Sequence, residues 1–261
     1  MYIEKLSEVD LSNKTISLSI MMKVAIFLTI LALIPLSYAA GTEQESKGSD
    51  KFEKTAYLLV FSDYLEGPVE VWLKSKGFKP EQDANNRIKL DLDVTDDSLS
   101  LEAKKPVQAF LINEAVNVKE FSKIRIEWGI LKYPKGASYA KNVNNEALML
   151  YIFFGVDKVS SGSYLIPNSP YFIALFLCQD EEINHPYKGR YFHKSGRFIC
   201  LGKPSLNETV VTEFDLVHAF KTYFGKHEVP GISGISLAVD TTKSGNQGKS
   251  SAFLKKIEFL K

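Results

Sequence analysis

The sequence predicts an all-β fold, a jelly-roll-like β-sandwich of two antiparallel sheets with one short helix. Three observations predict it. In Lys123 to Ile130 every second residue is apolar (Ile124, Ile126, Trp128, Ile130), the period of a strand with one wet face and one buried face. Ala147 to Phe154 is apolar at both parities, as a strand covered on both faces requires. About ten such short runs, rich in aromatic and β-branched residues, succeed one another between turn signals. Sheets in such a sandwich lie about 10 Å apart with interdigitated inner faces.

Composition narrows the function classes. The chain has 261 residues and 45% hydrophobic content, enough to bury a sizeable core. Its net charge is +1 with the two signs well mixed, so neither a nucleic-acid partner nor an anionic membrane surface is implied. No repeat with the period of a solenoid or propeller is visible.

The beginning of the chain sets the expected destination. Met22-Lys23 precedes a short apolar run to Leu36, and Ser37 and Ala39 stand at the −3 and −1 positions of a cleavage site. Residues 21–39 therefore predict a signal peptide, with 1–20 as an N-terminal extension from a mis-assigned start. A genuine cytosolic extension and an uncleaved anchor are the alternatives. The run is shorter than the roughly 20 residues of a comfortable span, so no stable membrane span is expected after signal removal. The protein is expected to be exported, periplasmic or extracellular. Residues 40–55, rich in Gly, Ser, Glu and Lys, predict a flexible linker, and 56–261 the β-sandwich domain.

Within that domain, Ala56 to Phe61 predicts the first strand. Phe61 to Trp72 contains Gly67-Pro68 and predicts a bent or edge segment. Ile88, Leu90, Leu92 and Val94 alternate with polar residues, Thr95-Asp96-Asp97 turns, and Leu99 and Leu101 resume, which is a hairpin. Val107 to Ile112 leads into the central pair, whose strands are joined by a polar loop from Lys132 to Glu146. Tyr171 to Cys178 predicts an inner strand, and Arg197 to Leu201 returns to the sheet after a polar excursion. Thr212 with Asp215 resembles a capping box. Leu216, Ala219, Phe220, Tyr223 and Phe224 follow at helical spacing, and Gly225 ends the helix. Ile235, Leu237 and Val239 alternate again, and Ala252 to Leu260 predicts the last strand.

The segments Lys123-Ile124-Arg125-Ile126-Glu127-Trp128 to Tyr151-Ile152-Phe153-Phe154, Phe214 to Gly225, and Ile232 to Thr241 through Lys256-Ile257-Glu258-Phe259 resemble the domain of unknown function 3047 family. The resemblance implies an exported sandwich and supplies no activity. That family usually has Asp-Thr-Asp-Asn-Thr-Gly where this chain has Asp240-Thr241-Thr242-Lys243-Ser244-Gly245, and paired acids where it has Asn144-Asn145-Glu146. Both departures remove carboxylates from any acidic site the family shares.

Candidate chemistry comes from a few residues. Cys178 and Cys200 are the only cysteines; they either form a disulfide closing a loop of about 22 residues or stand as two buried thiols. Glu146, Asp240 and the run Asp180-Glu181-Glu182 offer carboxylates for a structural calcium, which prefers six to eight oxygens, or for glycosidic cleavage. Their spacing matches no ligand pattern, and no other cofactor is expected. His185, His193, His218 and His227 lack the close pairing of a zinc site, with His218 expected as a partly buried helix residue. No nucleophile elbow, P-loop or dinucleotide glycine pattern is present, so no catalytic residue is assigned. Tyr133 and Tyr139 in the central loop, with Trp72, Tyr164 and Tyr187, are rings suited to stack on a sugar face. The expected ligand set is Tyr133, Tyr139, Glu146, Asp240 and Thr241. The function expected is non-catalytic binding of carbohydrate or another cell-envelope ligand; a polysaccharide hydrolase or lyase using loop carboxylates, and a structural or protein-interaction domain, are the alternatives.

Overall fold

A computed structural model describes residues 53–245 and 247–261. The expected extension, the signal segment and most of the linker lie outside the described residues. Along the chain run β1 (Thr55–Val60), α1 (Val69–Ser75), β2 (Lys79–Gln82), β3 (Leu90–Thr95), β4 (Ser98–Ala103) and β5 (Gln108–Asn113). Then come β6 (Lys123–Lys132), β7 (Glu146–Val159), β8 (Ser169–Leu177) and β9 (Gly196–Gly202). The chain ends with β10 (Val210–Asp215), α2 (Leu216–Phe224), β11 (Ile232–Asp240) and β12 (Ser250–Leu260).

These strands form a two-sheet β-sandwich. One sheet has the order β10-β6-β12-β4-β3, with β1 also paired to β12; the other has the order β2-β5-β11-β7-β8-β9. The predicted central strands β6 and β7 are thus central to different sheets. Their inner faces supply Ile124, Ile126 and Trp128 from one side and Leu148, Leu150, Ile152 and Phe154 from the other, all buried in one core. The Trp128 indole N–H is satisfied there: it donates to Thr212 Oγ1 on β10 at 3.1 Å.

The hairpin of β3 and β4 turns on Asp96 and Asp97 with φ of 49° and 60°, the two left-handed residues of a tight primed turn. Helix α2 begins where expected but is capped differently. Asp215 is itself the N-cap, accepting from the His218 N–H at 2.8 Å, while Thr212 remains in β10 opposite Ile126. His218 consequently faces solvent on the first turn instead of the core. Gly225 closes the helix at φ +64°.

Two details depart from the expected plan. The segment after Gly67-Pro68 is helix α1, which buries Val69 and Leu73 one turn apart; Pro68 starts it because an N-terminal residue has no helical N–H to lose. Strands β8 and β9 run parallel, which the long excursion between them permits. That excursion is clasped by the Cys178–Cys200 disulfide, with Cα atoms 5.7 Å apart across a separation of 22 residues. Both cysteines belong to the apolar layer on the outer face of the second sheet.

One irregularity matters for the site. Along β11 and β7, Ala238 pairs with Met149, but two residues later Asp240 pairs with Glu146, so β7 carries one extra residue. Regular alternation would send Glu146 inward with Leu148 and Leu150. The bulge returns it to the face of Met149, Tyr151 and Phe153.

Candidate functional site

The second sheet is covered on both faces by different means. Its inner face belongs to the main core, whereas its outer face carries a separate apolar layer including Met149, Phe172, Phe176, Phe198 and Ala238. Alternation builds this layer. On β5 the outward residues include Phe110 and Ile112, on β11 Ser236, Ala238 and Asp240, and on β7 Met149, Tyr151 and Phe153. Small Ser236 and Ala238 sit between aromatic neighbours and leave a trough, a cleft of about 720 Å³. Tyr151 stands in its middle, with Phe110 at 6.2 Å, Phe153 at 6.1 Å and Phe172 at 5.3 Å between ring centroids. Loop segments around Ile166–Asn168, Arg190–Phe192 and Thr242–Lys243 form the rim.

Of the expected ligand residues, the structure brings Tyr139, Glu146 and Asp240 to this one cleft. Tyr139 is not an exposed ring. It is 4% exposed, stacked on Phe176 at 5.0 Å and close to Phe198 at 5.2 Å, so the central loop folds over the outer face and plugs it with this side chain. Its N–H donates to Glu181 Oε1 at 3.2 Å, and its hydroxyl reaches Met149 Sδ at 3.9 Å. Burial pushes the Tyr139 phenol well above its ordinary range, with nearby Glu146 adding to the effect.

Tyr133 and Thr241 do not join them. Tyr133 lines a smaller depression beside Cys178 and Lys203 and donates to the Pro204 carbonyl at 3.0 Å. Partial burial pushes its phenol up to about 12. Thr241 follows Asp240 and so points the other way; its hydroxyl is buried, accepting from Val107 N–H at 3.1 Å and reaching the Lys105 carbonyl at 3.4 Å. It ties the loop after β11 to the start of β5. Trp72 packs against Phe61 and Tyr64 on α1, and Tyr164 is fully exposed.

Glu146 and Asp240 define the polar end of the cleft. They face each other as cross-strand partners, an arrangement that places Cβ atoms about 4.5–5.5 Å apart. Glu146 is 4% exposed, and its carboxyl is held well above the usual range, first by burial and then by the charges of Glu181 and Asp240. Burial also raises the Asp240 carboxyl. Opposing that, its Oδ1 accepts from Thr242 N–H at 2.9 Å and Thr242 Oγ1 at 2.7 Å, and Lys243 lies near.

Among the described residues, six buried side-chain polar atoms have no hydrogen-bond partner, and four of them line this cleft: Asn144 Oδ1, Asn145 Nδ2, Glu146 Oε1 and Ser236 Oγ. Buried polar groups normally find partners, so this concentration sets the polar end of the cleft apart from the rest of the molecule. Among the described residues no three His, Cys, Asp or Glu side chains group as a metal centre would need.

Sequence reasoning missed Tyr151, Phe153, Phe110 and Ser236. Tyr151 and Phe153 sit in a run apolar at both parities and read as core. The available signal was on β11, where Ser236 and Ala238 alternate with Ile235, Leu237 and Val239, a row too small to fill a second apolar layer.

No family model matches the chain, and no curated protein matches it either. Solved structures do. A xylan-binding module from Roseburia intestinalis is similar at 10% identity and a TM-score of 0.33, over 78% of this chain and 95% of that one. The potassium-bound carbohydrate recognition domain of Emp46p is similar at 10% identity and a TM-score of 0.39, over 79% of this chain and 97% of that one. A family 29 carbohydrate-binding module (CBM29-2) is similar at 10% identity and a TM-score of 0.32, over 78% and 91%. All three TM-scores lie below 0.5, and the ligands in those names belong to those proteins.

Proposed function

We propose that the protein is an exported module that binds a carbohydrate chain in the cleft on the outer face of its second sheet. The observation that carries this reading is the set of unpartnered groups at Asn144, Asn145, Glu146 and Ser236 beside the Tyr151 ring. The set is mixed: Asn145 Nδ2 can only donate, Asn144 Oδ1 can only accept, and a serine hydroxyl does both. A bare cation would want acceptors alone. A sugar presents hydroxyls that donate and accept side by side, with an apolar ring face for an aromatic. Export is supported by the signal-like segment ahead of the domain and by the Cys178–Cys200 disulfide, a bond at home in oxidising compartments.

The test is a glycan microarray followed by affinity electrophoresis in gels carrying the retained polysaccharides. Tyr151→Ala is expected to weaken retention by about tenfold or more, whereas Val211→Ala, exposed on the edge strand β10 of the other sheet, leaves it unchanged. No retained glycan at high micromolar protein refutes the reading.

A further inference from the structure

On the reading that the cleft holds a carbohydrate, we propose that Glu146 acts there as a neutral carboxylic acid, donating a hydrogen bond to an uncharged sugar ring while Asp240 accepts one from a neighbouring hydroxyl. The geometry begins with the bulge in β7, which swings Glu146 onto the cleft face opposite Asp240. A buried and a half-buried carboxyl group facing each other across one strand pair cannot both ionise without a large cost, so the pair retains a proton.

The surroundings decide which member keeps it. Asp240 has two hydrogen bonds from Thr242 at Oδ1 and the positive charge of Lys243 just beyond β11, all of which favour its ionised form. Glu146 has none of these, and its Oε1 is buried without a partner. Facing it from the loop after β8 is Glu181, a second negative charge. The other titratable neighbours are the Tyr139 and Tyr151 phenols, which burial keeps protonated. Arg190, also on the cleft, lies over the Tyr191 ring at 5.4 Å.

A neutral acid offers one O–H and one carbonyl, the same pairing as a sugar hydroxyl in reverse. The ionised Asp240 keeps Oδ2 clear of the Thr242 bonds and able to accept. Together they take two adjacent hydroxyls of one pyranose. A uronic acid at this position would add a further carboxylate beside the ionised Asp240, in the poorly solvated end of the cleft, so the ligand class here is a neutral glycan.

The experiment uses the full chain and a neutral oligosaccharide retained on the array, with its uronate-containing counterpart as the second probe. Binding at neutral pH is measured by calorimetry for the native protein, Glu146→Gln and Glu146→Ala. Glutamine keeps a donor and an acceptor without charge, so affinity within about threefold of native is expected. Alanine removes a hydrogen bond from a buried polar site, so a loss of about tenfold to a hundredfold is expected. The neutral probe is expected to bind tighter than the uronate. An infrared difference spectrum between the native protein and Glu146→Gln should contain a protonated-carboxyl band. Absence of that band, equal losses in both variants, or tighter binding of the uronate overturns the proposal while leaving carbohydrate binding in place. Native protein that binds neither probe refutes the carbohydrate reading itself.

Discussion

Replacing Glu146 by glutamine should change how stability depends on pH, and the structure sets the sign. The unfolded carboxyl titrates near 4.5, whereas burial and the charges of Glu181 and Asp240 hold the folded one well above that value. Above about pH 5 the folded protein therefore keeps a proton that the unfolded chain has released. Unfolding then liberates a proton, so stability from this group is greatest at low pH and falls as pH rises. One proton of difference corresponds to a slope of about 1.4 kcal/mol per pH unit, continuing until the folded carboxyl itself titrates. The Glu146→Gln variant has no titrating proton at this position, and this part of the slope disappears. Asp240, also raised, and carboxyls held low by partners, such as Glu258 against Thr55, are present in both proteins and cancel in the comparison. Urea unfolding at several pH values across this range, followed by the fluorescence of buried Trp128, measures both slopes. Native and variant stabilities that run parallel would refute the reasoning, because Glu146 would then be ionised in the fold.

Three further outcomes are expected. Replacing Cys178 and Cys200 together by Ser should cost about 3 kcal/mol in urea unfolding, the loop-closure value for a separation of 22 residues, and adding reductant to the native protein should reproduce the loss. Gly129→Ala should destabilise by about 3 kcal/mol, lowering the thermal midpoint, because a Cβ there would lie 2.3 Å from the Glu208 carbonyl oxygen and 2.4 Å from the Phe253 ring. Tyr139→Ala should cost about 3–5 kcal/mol by emptying the stack on Phe176, whereas Tyr139→Phe should cost under about 1 kcal/mol in the same unfolding assay, since the hydroxyl meets only the Met149 sulfur.

Much of the fold was legible because strands with one wet face announce themselves. The alternation through Trp128 located β6, Asp96-Asp97 located the hairpin turn, and helical spacing from Leu216 located α2. Helix α1 was not legible: seven residues hold barely two turns of pattern, and Pro68 ahead of them argues equally for a bend. Strand β2, Lys-Pro-Glu-Gln, has no apolar alternation because it lies at a sheet edge, where only its pairing with β5 defines it. In the site, Asp240 was legible as a polar residue where an alternating strand enters a glycine-containing loop, and Thr241 was then misread as its companion although adjacent strand residues face opposite ways. Tyr151 and Phe153 were hidden for a different reason. Periodicity reports whether a face is apolar but not what covers it, so a cleft-facing aromatic row and a core row look the same.

The extra residue in β7 has a consequence for how this molecule can diversify. Everything before it on the strand has its inside and outside exchanged relative to everything after it. Straightening the strand with that residue kept would turn the acid toward the hydrophobic interior and set Ala147 against the trough, whereas deleting the residue would leave the acid opposite Asp240, because alternation running back from Met149 then reaches it directly. Shortening the strand by one codon here therefore spares the polar end of the trough, and only a change that irons out the bulge at full length forfeits it.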